Sequence, residues 1–490
     1  MTLPSPRVSP LPTVLLALAV FALGFRLWTS LCFVPFADWN DVRLAPTFML
    51  WHGVTPYPGL DAGPLTTWTY GPVPLLLNLP ALLASDVGTA LLIGGVINLL
   101  CAAVPVLIAL SALTLPSALV TLTDRCWAAL LCLALWPNSS LHYIQSDNAA
   151  VAFGLLSCAL LADHRRHASR LILAALCAAL AVWSKQTSLG LVPAQLLWLA
   201  LTAGLKPSLR YAGCCAACGF GLAGVFIAWF GFDGLWLNLV ALPGRFPFAP
   251  DVPERIRILW MALVGYLIFP AVGLVVWRRR IFGRKSPWLL PALVWLFLLP
   301  TALLSTFGNG GSSNSLNSVL YLFPIAALTA VTWLRQRSPR TAAAWLAAGV
   351  AGVLTQQLSF SPLVPLYPLT AHLRTGETLA RQFAGQIYFP WNPLLTYFAE
   401  RRFYHVEDGL YTRQVAAAAR PPATIARDLP PAWALTALPG WRDYGVYKTL
   451  QPAEAQLGFF ETWTVYTWKR AGPPPTPLPA QSAGTAVAPR

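Results

Sequence analysis

Charged residues are scarce in this chain of 490 residues, of which they make up only 10%. Soluble domains contain about 25%, so the scarcity excludes a water-soluble globular fold, and 56% of the residues are hydrophobic. Acidic residues are fewer than basic ones, with 18 Asp and Glu against 33 Lys and Arg. The interiors of the long apolar runs have no acidic residue. Proton- or sodium-coupled transporters usually keep ionisable groups near the middle of the bilayer. The composition therefore argues against a coupled transporter.

Cysteine is absent after residue 218, although the chain has nine cysteines. The carboxyl-terminal part therefore has no disulfide framework. Cys214, Cys215 and Cys218 lie close together in an apolar run with no His or acidic residue beside them. We interpret them as packing residues, since a buried cysteine usually acts as a small hydrophobic side chain.

Apolar runs of the length that a helix needs to cross a bilayer recur along the chain. Basic residues cluster in alternate loops, as expected for the cytoplasmic side of a membrane protein. The two patterns predict about eleven transmembrane helices, with the amino terminus inside and the carboxyl terminus outside. Residues 74–84 are too short to cross and are predicted to form an interfacial or re-entrant helix. The predicted spans are 11–33, 88–113, 126–143, 148–163, 170–184, 187–204, 209–231, 257–277, 287–304, 316–334 and 341–358.

The predicted fold class is an all-α polytopic membrane protein with a small α/β extracytoplasmic domain at its carboxyl end. Residues 1–359 form the predicted transmembrane domain and residues 360–471 the external domain, in which the alternation FFETWTVYTWKR predicts a strand. The low-complexity tail, 472–490, is predicted to be disordered. The predicted external loops of the transmembrane domain, which hold most of its acidic residues, are 34–87, 144–147, 232–256 and 305–315.

The first external loop begins with FADWNDVRLAPTFMLWHGVTPY, which places Asp38 and Asp41 a helical turn apart just after the first span. A carboxylate shielded at the membrane surface, beside an apolar neighbour such as Trp39, has a raised pKa and suits a general base. The alternative interpretation is structural: these acids cap a helix or pair with Arg43.

Several motifs resemble, in the same order, the GT-C superfamily of polytopic glycosyltransferases. That superfamily includes protein mannosyltransferase-like, aminoarabinose transferase-like and polyprenol-dependent mannosyltransferase families. The motifs are Arg26 late in the first span, the acidic loop that ends in Gly53 and Tyr57, TYGPVPLLLNLPALL from Tyr70, IQSDNAAVAFGLL with Gln145, Asp147 and Asn148, and WSKQTSLGLVP with Lys185. The chain departs from the resemblance in its late loop, where it has Asn309, Asn314, Asn317 and Tyr321 but no basic residue.

The resemblance implies roles for these residues. Asp38 or Asp41 is the catalytic carboxylate, and a divalent cation (Mg²⁺ or Mn²⁺) is a possible cofactor. Asp147, with Gln145 and Asn148, binds the acceptor or that cation, unless Ser146 or Asp147 simply caps the next helix. The candidate contacts to the donor phosphate are Lys185, Arg26, Arg255 and Arg257, and the further pocket residues are Tyr57, Tyr70 and Tyr321. Snorkelling of Lys185 and Arg26 to the headgroups, and a solvated loop around Arg255 and Arg257, are the alternatives.

The expected function is inverting transfer of a sugar from a polyprenyl-phosphate carrier to a glycan, lipid or protein acceptor. It would take place at the outer face of an inner or plasma membrane. The net charge of +15 comes mostly from basic residues in the predicted cytoplasmic loops and does not indicate a nucleic-acid partner. The alternative functions are a lipid-linked saccharide flippase or transporter, and a non-catalytic assembly protein with the same fold.

Overall fold

The structure is a computed structural model. It describes residues 11–36, 39–66, 68–111, 120–135, 141, 143–164, 167–262, 286–309, 311, 313–338, 341–358, 371–420, 424–425, 427–430, 434–437, 454–460 and 463–468. Asp38, the predicted tail 472–490, the strongly basic stretch 278–285 and most of the predicted span 257–277 therefore lie outside the described residues.

Helices form most of the described structure, and every predicted span that is described coincides with a helix over most of its length. The α-helices are α1 (Leu11–Phe33), α2 (Asn40–Trp51), α3 (Val73–Leu77), α4 (Val87–Leu110), α5 (Leu122–Ala134), α6 (Ser146–Ala162), α7 (Ala168–Ser184), α8 (Leu191–Ala203), α9 (Leu205–Phe230), α10 (Phe232–Trp236), α11 (Val252–Ala262), α12 (Leu289–Phe307), α13 (Phe323–Arg337), α14 (Ala342–Leu358), α15 (Ala371–Gln382), α16 (Pro393–Glu400) and α17 (Glu407–Val415). Shorter 3-10 or π turns are Val34–Phe36, Leu79–Leu83, Gln186–Gly190, Leu237–Ala241, Pro243–Arg245 and Ser313–Leu322.

Five helical segments of the described residues are long and apolar enough to cross a membrane. They are Leu11–Cys32, Val87–Ile108, Leu205–Phe230, Leu289–Phe307 and Asn314–Arg337. Shorter apolar helices cover Ser146–Ala162, Ser169–Ser184 and Ala342–Gly352. A helix of 17 residues is about 26 Å long, slightly less than the hydrocarbon core of a bilayer. The polytopic helical class is confirmed, and the count of eleven stays a prediction.

The segment predicted not to cross the membrane is broken into two pieces. Helix α3 has five residues and is followed at once by the 3-10 turn Leu79–Leu83. Asn78 lies at the break, where its side chain donates to the carbonyl oxygen of Pro74 (2.9 Å). Neither piece is long enough to span a bilayer.

The main apolar core lies among the central helices. It is formed by buried side chains of α5, α6, α12 and α13, including Trp127, Leu155, Leu298, Phe323 and Leu328. Each fully buried side chain of this size stabilises a water-surrounded fold by about 1.5–3 kcal/mol. In a bilayer that contribution is replaced by close packing, because lipid tails are as apolar as leucine.

The carboxyl-terminal segment packs against the first loop, 34–87, which is predicted to be external. Leu44 and Phe48 of α2 share an apolar core with Phe389 and with Leu395 and Phe398 of α16. Strands Ile387–Tyr388 (β1), Ala434–Ala437 (β2), Glu454–Phe460 (β3) and Trp463–Trp468 (β4) form a four-stranded sheet in the order β1-β2-β4-β3. Strand β1 pairs with β2 in parallel, and the other pairs are antiparallel. Residues 371–420 and the first loop thus lie on the same side of the helical bundle.

We predict that this side faces away from the cytoplasm. A reporter protein that is active only in the cytoplasm, fused to the carboxyl terminus of the full chain, is expected to be inactive. An odd number of spans separates that terminus from the basic cytoplasmic loops. The same reporter fused after Gly204, in a predicted cytoplasmic loop, is the control and is expected to be active. Activity of both fusions would contradict the predicted topology.

Candidate active site

An ion pair between Asp147 and Lys185 forms the centre of the candidate site. Asp147 lies in the first turn of α6, and Lys185 follows the last residue of α7. Lys185 Nζ is 2.5 Å from Asp147 Oδ1, and Asn314 Nδ2 donates to Asp147 Oδ2 (3.3 Å). The two charged side chains are only 11% and 7% exposed. Two residues that the sequence predicts for one site are therefore in direct contact, and the late loop joins them.

The geometry excludes the capping alternative at the start of α6. Gln145 occupies the N-cap position of this helix, and its side chain makes no capping hydrogen bond. The oxygens of Asp147 are directed to Lys185 and Asn314 instead. A carboxylate in the first turn still interacts favourably with the helix dipole. Snorkelling of Lys185 is excluded as well, because its ammonium group is held by a buried partner.

The first external loop brings an aromatic ring to this pair. Lys185 Nζ lies 5.7 Å from the centre of the Tyr70 ring, within the range of a cation–π interaction. The next residue, Gly71, packs so closely on α7 that a Cβ atom there would overlap the carbonyl oxygen of Trp183. Tyr57 lies behind Tyr70 and donates from its hydroxyl to the Tyr70 carbonyl oxygen (2.8 Å). Tyr70 therefore belongs to the site, whereas Tyr57 supports its backbone.

The cleft over the ion pair is small in this conformation. Its volume is about 30 Å³, enough for one water molecule. Its polar walls include Thr187, Ser188, Asn314, Asn317 and Tyr321. A sugar phosphate is larger than this volume, so the cleft in this conformation does not enclose a substrate of that size.

Tyr321 closes the inner end of the cleft. It is buried, and its hydroxyl is 3.4 Å from the carbonyl oxygen of Ala150 in α6. A Cβ atom at Gly154 would overlap the same hydroxyl, so a glycine is required at that position of α6. Tyr321 is therefore a wall of the cleft.

Asp41 anchors the carboxyl-terminal segment. It is 1% exposed and accepts hydrogen bonds from Leu394 N on Oδ1 (2.9 Å) and from Asn392 Nδ2 on Oδ2 (3.4 Å). These donors lie at the amino end of α16, where backbone N–H groups have no partner within the helix. The interpretation that one of the first-loop acids caps a helix fits Asp41, although the capped helix is 353 residues away. The cleft is lined by Asp147 and Lys185 but not by Asp41.

Burial raises the pKa of Asp41 to about 7, against the lowering effect of its hydrogen bonds to Leu394 and Asn392. Its usual value is 3.8, so the folded protein binds this proton more tightly than the unfolded chain. The resulting stability is fully present below about pH 4 and is lost as the pH rises through 7.

We predict that Asp41→Asn removes this pH dependence. The wild-type free energy of unfolding is expected to fall by up to about 4 kcal/mol between pH 4 and pH 7.5 because of Asp41, since one pKa unit is about 1.4 kcal/mol. The Asn variant keeps an acceptor for Leu394 and has no proton to lose. Unfolding in mixed micelles at several pH values measures the difference, with the half-buried helix cap Asp86→Asn as the control. Equal slopes for wild type and Asp41→Asn would contradict the assignment.

Asp38 lies outside the described residues, but its neighbours are placed. Trp39 packs edge-on against Trp391, with ring centres 4.9 Å apart, and the Arg43 guanidinium lies 5.3 Å from the Trp39 ring. Arg43 also donates to the carbonyl oxygen of Ile144 (3.2 Å), which immediately precedes the Gln145 motif. It is therefore not a partner of Asp41, and the predicted pairing with that acid is wrong.

Arg26 has a structural role in the described residues. It is buried on α1 and donates to the carbonyl oxygens of Leu133 (2.6 Å) and Ala134 (3.0 Å), at the carboxyl end of α5. These carbonyls lie in the last turn of the helix, where a cation interacts favourably with the helix dipole. Neither phosphate binding nor snorkelling to the headgroups describes this arrangement.

The two predicted phosphate ligands of the 232–257 region have different surroundings. Arg255 pairs with Asp251 (3.2 Å) and donates to the carbonyl oxygen of Gly311 in the late loop. Arg257 pairs with Glu254 (2.6 Å) and is exposed, which fits a solvated position. Arg255 thus ties the late loop to α11, and neither arginine lines the cleft.

Asparagine side chains that the sequence analysis missed connect the first loop to the Gln145 motif. Asn40 Oδ1 accepts from Ile144 N (2.6 Å), and its Nδ2 donates to the Val34 carbonyl oxygen. Asn148, predicted for the site, donates to Asn98 Oδ1 (2.6 Å) in α4. An asparagine in the middle of a long apolar run, such as Asn98, is the one sequence signal that indicates these hydrogen bonds.

The late loop is fixed at its start by two other segments. Gly308 forms a β-bridge with Phe248, and Asn309 N donates to Pro247 O (2.9 Å). The Asn309 side chain is 3.5 Å from the Tyr411 hydroxyl of α17. Residues of the predicted external loops 34–87, 144–147 and 305–315 thus lie at the Asp147–Lys185 pair, while 232–256 and the carboxyl-terminal segment contact the late loop.

The residues around Asp147 do not fit a divalent cation. Within the described ranges no group of three or more His, Cys, Asp or Glu residues is placed to hold a metal ion. Asp147 is the acidic residue of the cleft, and the Lys185 ammonium occupies one of its oxygens and repels a second cation. Mg²⁺ and Mn²⁺ prefer several oxygen ligands.

The fold is similar to that of a membrane protein of known structure. No protein-family model matches the chain, and no curated protein matches it. ArnT from Cupriavidus metallidurans bound to undecaprenyl phosphate superposes with a TM-score of 0.55 and 12% identity, over 94% of this chain and 99% of that one. The chain therefore has the same fold as this ArnT structure. The apo form of ArnT gives a TM-score of 0.53 at 13% identity, over 93% and 97% of the two chains. The predicted resemblance is confirmed for the fold, and identities this low show the fold alone.

Proposed function

We propose that this protein is an integral membrane glycosyltransferase that uses a polyprenyl-phosphate-linked sugar. The observation that carries the proposal is the buried Asp147–Lys185 pair in a polar cleft where the external loops meet. The similar ArnT structure contains undecaprenyl phosphate, a lipid of the same chemical class as the proposed carrier. The acceptor is a glycan, lipid or protein, and transfer takes place at the outer face of an inner or plasma membrane.

In the proposed reaction an acceptor hydroxyl attacks the anomeric carbon of the donor sugar. The new glycosidic C–O bond forms as the bond from that carbon to the phosphate oxygen breaks, with inversion of configuration. The hydroxyl proton passes to a carboxylate base, and polyprenyl phosphate leaves with the bonding electrons. The step thus needs one base and one positive group at the leaving phosphate.

Lys185 is the proposed positive group. Its ammonium has three N–H donors, of which Asp147 uses one, so the others remain for phosphate oxygens. Asp147 fixes the position of the ammonium while leaving part of its charge for the substrate. Tyr70 and Tyr321 then shape the two sides of the cleft.

Asp38 is the proposed base. Both oxygens of Asp41 accept hydrogen bonds in a buried environment, and those of Asp147 face Lys185 and Asn314. Asp38 is the other acid of the first-loop motif, close in sequence to Asp41, which holds that loop against the carboxyl-terminal segment. Asp41 is a positioning residue in this proposal.

The test uses the purified full chain in proteoliposomes with a polyprenyl phosphate that carries a radiolabelled sugar. A glycosyltransferase releases polyprenyl phosphate and moves the label to an acceptor, or slowly to water. Movement of intact lipid-linked sugar between leaflets without cleavage would support the transporter instead. If the lipid is neither cleaved nor moved by the protein with any acceptor class, the non-catalytic alternative holds.

Two observations favour the non-catalytic assembly protein as the second candidate. A first-loop acid predicted for catalysis, Asp41, is used to hold a helix, and the cleft has room for a single water molecule. The cleavage assay separates the two functions, because a transferase cleaves the lipid-linked sugar and a non-catalytic protein does not.

A further inference from the structure

Arg413 of α17 is a buried arginine at the junction of three segments. It is 2% exposed, and its Nη2 donates to the Pro58 carbonyl oxygen and to Asn238 Oδ1, both at 3.0 Å. Pro58 belongs to the first external loop and Asn238 to the π-helical turn Leu237–Ala241. One guanidinium therefore holds the carboxyl-terminal segment against two external loops.

Arg420 lies next to it along the same segment. It is 9% exposed, and its Nη2 donates to the carbonyl oxygens of Gly59 (2.6 Å) and Ala62. The two arginines are close enough for their charges to interact: burial, with the charge of Arg420, lowers the pKa of Arg413 to about 10. Two positively charged side chains are thus buried against the same loop.

Part of each guanidinium has no partner. Arg413 Nη1 and Arg420 Nε and Nη1 are buried atoms that make no hydrogen bond in the described structure. Neither arginine forms an ion pair with a carboxylate there. The acids whose charges reach Arg420 are Asp61, which is exposed, and Asp428, whose side chain is 30% exposed and lies 3.7 Å from His405 Nε2. The unpaired nitrogens point to a missing anion, because burying a charge without a counter-charge is costly.

We propose that Arg413 and Arg420 bind a phosphate oxyanion. A tetrahedral phosphate presents three strong acceptor oxygens, which match the three unpartnered nitrogen atoms, and its negative charge offsets that of the arginines. The planar guanidinium binds such a group through parallel hydrogen bonds, which an ammonium group does not make. The phosphate belongs either to a lipid headgroup or to a free phosphate compound, since both present this chemistry.

The proposed site is separate from the cleft but connected to it. Neither arginine lines the cleft. The turn that carries Asn238 also carries Leu239, whose carbonyl oxygen accepts from Gln186 Nε2 (3.1 Å), and Gln186 directly follows Lys185. Turns of the π type frequently occur at functional sites. A phosphate on the arginines would therefore stabilise the turn that packs behind Lys185, and this inference does not depend on the proposed transferase activity.

The experiment measures the thermal stability of the full chain in nanodiscs of zwitterionic phosphatidylcholine. Inorganic phosphate is expected to raise Tm by roughly 2 °C or more over sodium chloride of equal ionic strength, since a ligand that binds only the folded state stabilises it. Arg413→Gln and Arg420→Gln should lose this difference, and Arg420→Lys should keep only part of it. Arg374→Gln, an exposed arginine of α15, is the control and should keep all of it.

A second arm distinguishes the two sources of phosphate. A lipid source predicts that nanodiscs containing anionic phosphatidylglycerol raise Tm without added phosphate, and that free phosphate then adds little. If the glutamine variants do not fold, equilibrium dialysis of radiolabelled phosphate with the wild type still decides, with one phosphate bound per chain expected. Wild-type protein with no response to either source, or Arg420→Gln with the full wild-type response, would overturn the proposal.

Discussion

Replacing Asp38 with Asn is expected to lower the rate of sugar transfer by about 10²–10⁴-fold, the range typical for loss of a general base. An amide keeps the shape of the carboxyl group but does not take a proton at neutral pH. Single-turnover transfer of radiolabelled sugar from polyprenyl phosphate measures the chemical step. Expression and Tm should stay at the wild-type level, because the change is nearly isosteric.

Asp41→Asn is the matched control, because it makes the same change one helical turn away. This variant keeps the acceptor for Leu394 N and is expected to retain transfer, since the carboxylate it replaces is buried as a helix cap. Loss of transfer in Asp41→Asn with normal transfer in Asp38→Asn would make Asp41 the base. Normal turnover in both would mean that the first-loop acids are structural, and the transferase proposal would then rest on the fold and on Lys185.

The sequence predicts the parts of this protein that depend on local patterns. Apolar runs place the helices to within a few residues at most ends, as for α9, predicted at 209–231 and found at Leu205–Phe230. The hydrophobicity of a span is set by the bilayer that surrounds it, so each run carries its own signal. The order of the motifs also selected Asp147 and Lys185, which are 38 residues apart in sequence and in contact in the structure.

Long-range partners had no such signal. The sequence around Asp41 contains nothing that indicates Leu394, and nothing around Arg26 indicates the end of α5. Both contacts depend on how distant segments of the chain fold against one another. That folding determines which backbone N–H or C=O groups at helix ends each charged side chain can reach. A buried ionisable residue is therefore easy to find in such a sequence, while its role as base, cap or ligand is decided by the partner that the fold supplies.

The Asp147–Lys185 pair should show the largest effect on stability. Removing one member, as in Asp147→Leu or Lys185→Met, leaves the other charge nearly buried, and is expected to cost about 3 kcal/mol or more in the free energy of unfolding. Replacing both, in Asp147→Leu with Lys185→Met, removes both charges and is expected to restore most of that loss. Unfolding of the four proteins in mixed micelles gives the coupling free energy as a double-mutant cycle.

The exposed pair Arg257–Glu254 supplies the control, because disrupting a surface ion pair costs only about 0–1 kcal/mol. Transfer kinetics should be measured on the stable double variant. In each single variant, any loss of donor binding is mixed with the effect of a buried charge that has lost its partner. If Lys185 contacts the donor phosphate equally in the ground and transition states, the double variant raises KM for the polyprenyl-phosphate donor and leaves kcat nearly unchanged. A fall in kcat instead would mean that Lys185 acts mainly on the leaving phosphate in the transition state. Wild-type kinetics in the double variant would show that the pair only holds α6 and α7 together, and Lys185 would have no part in catalysis.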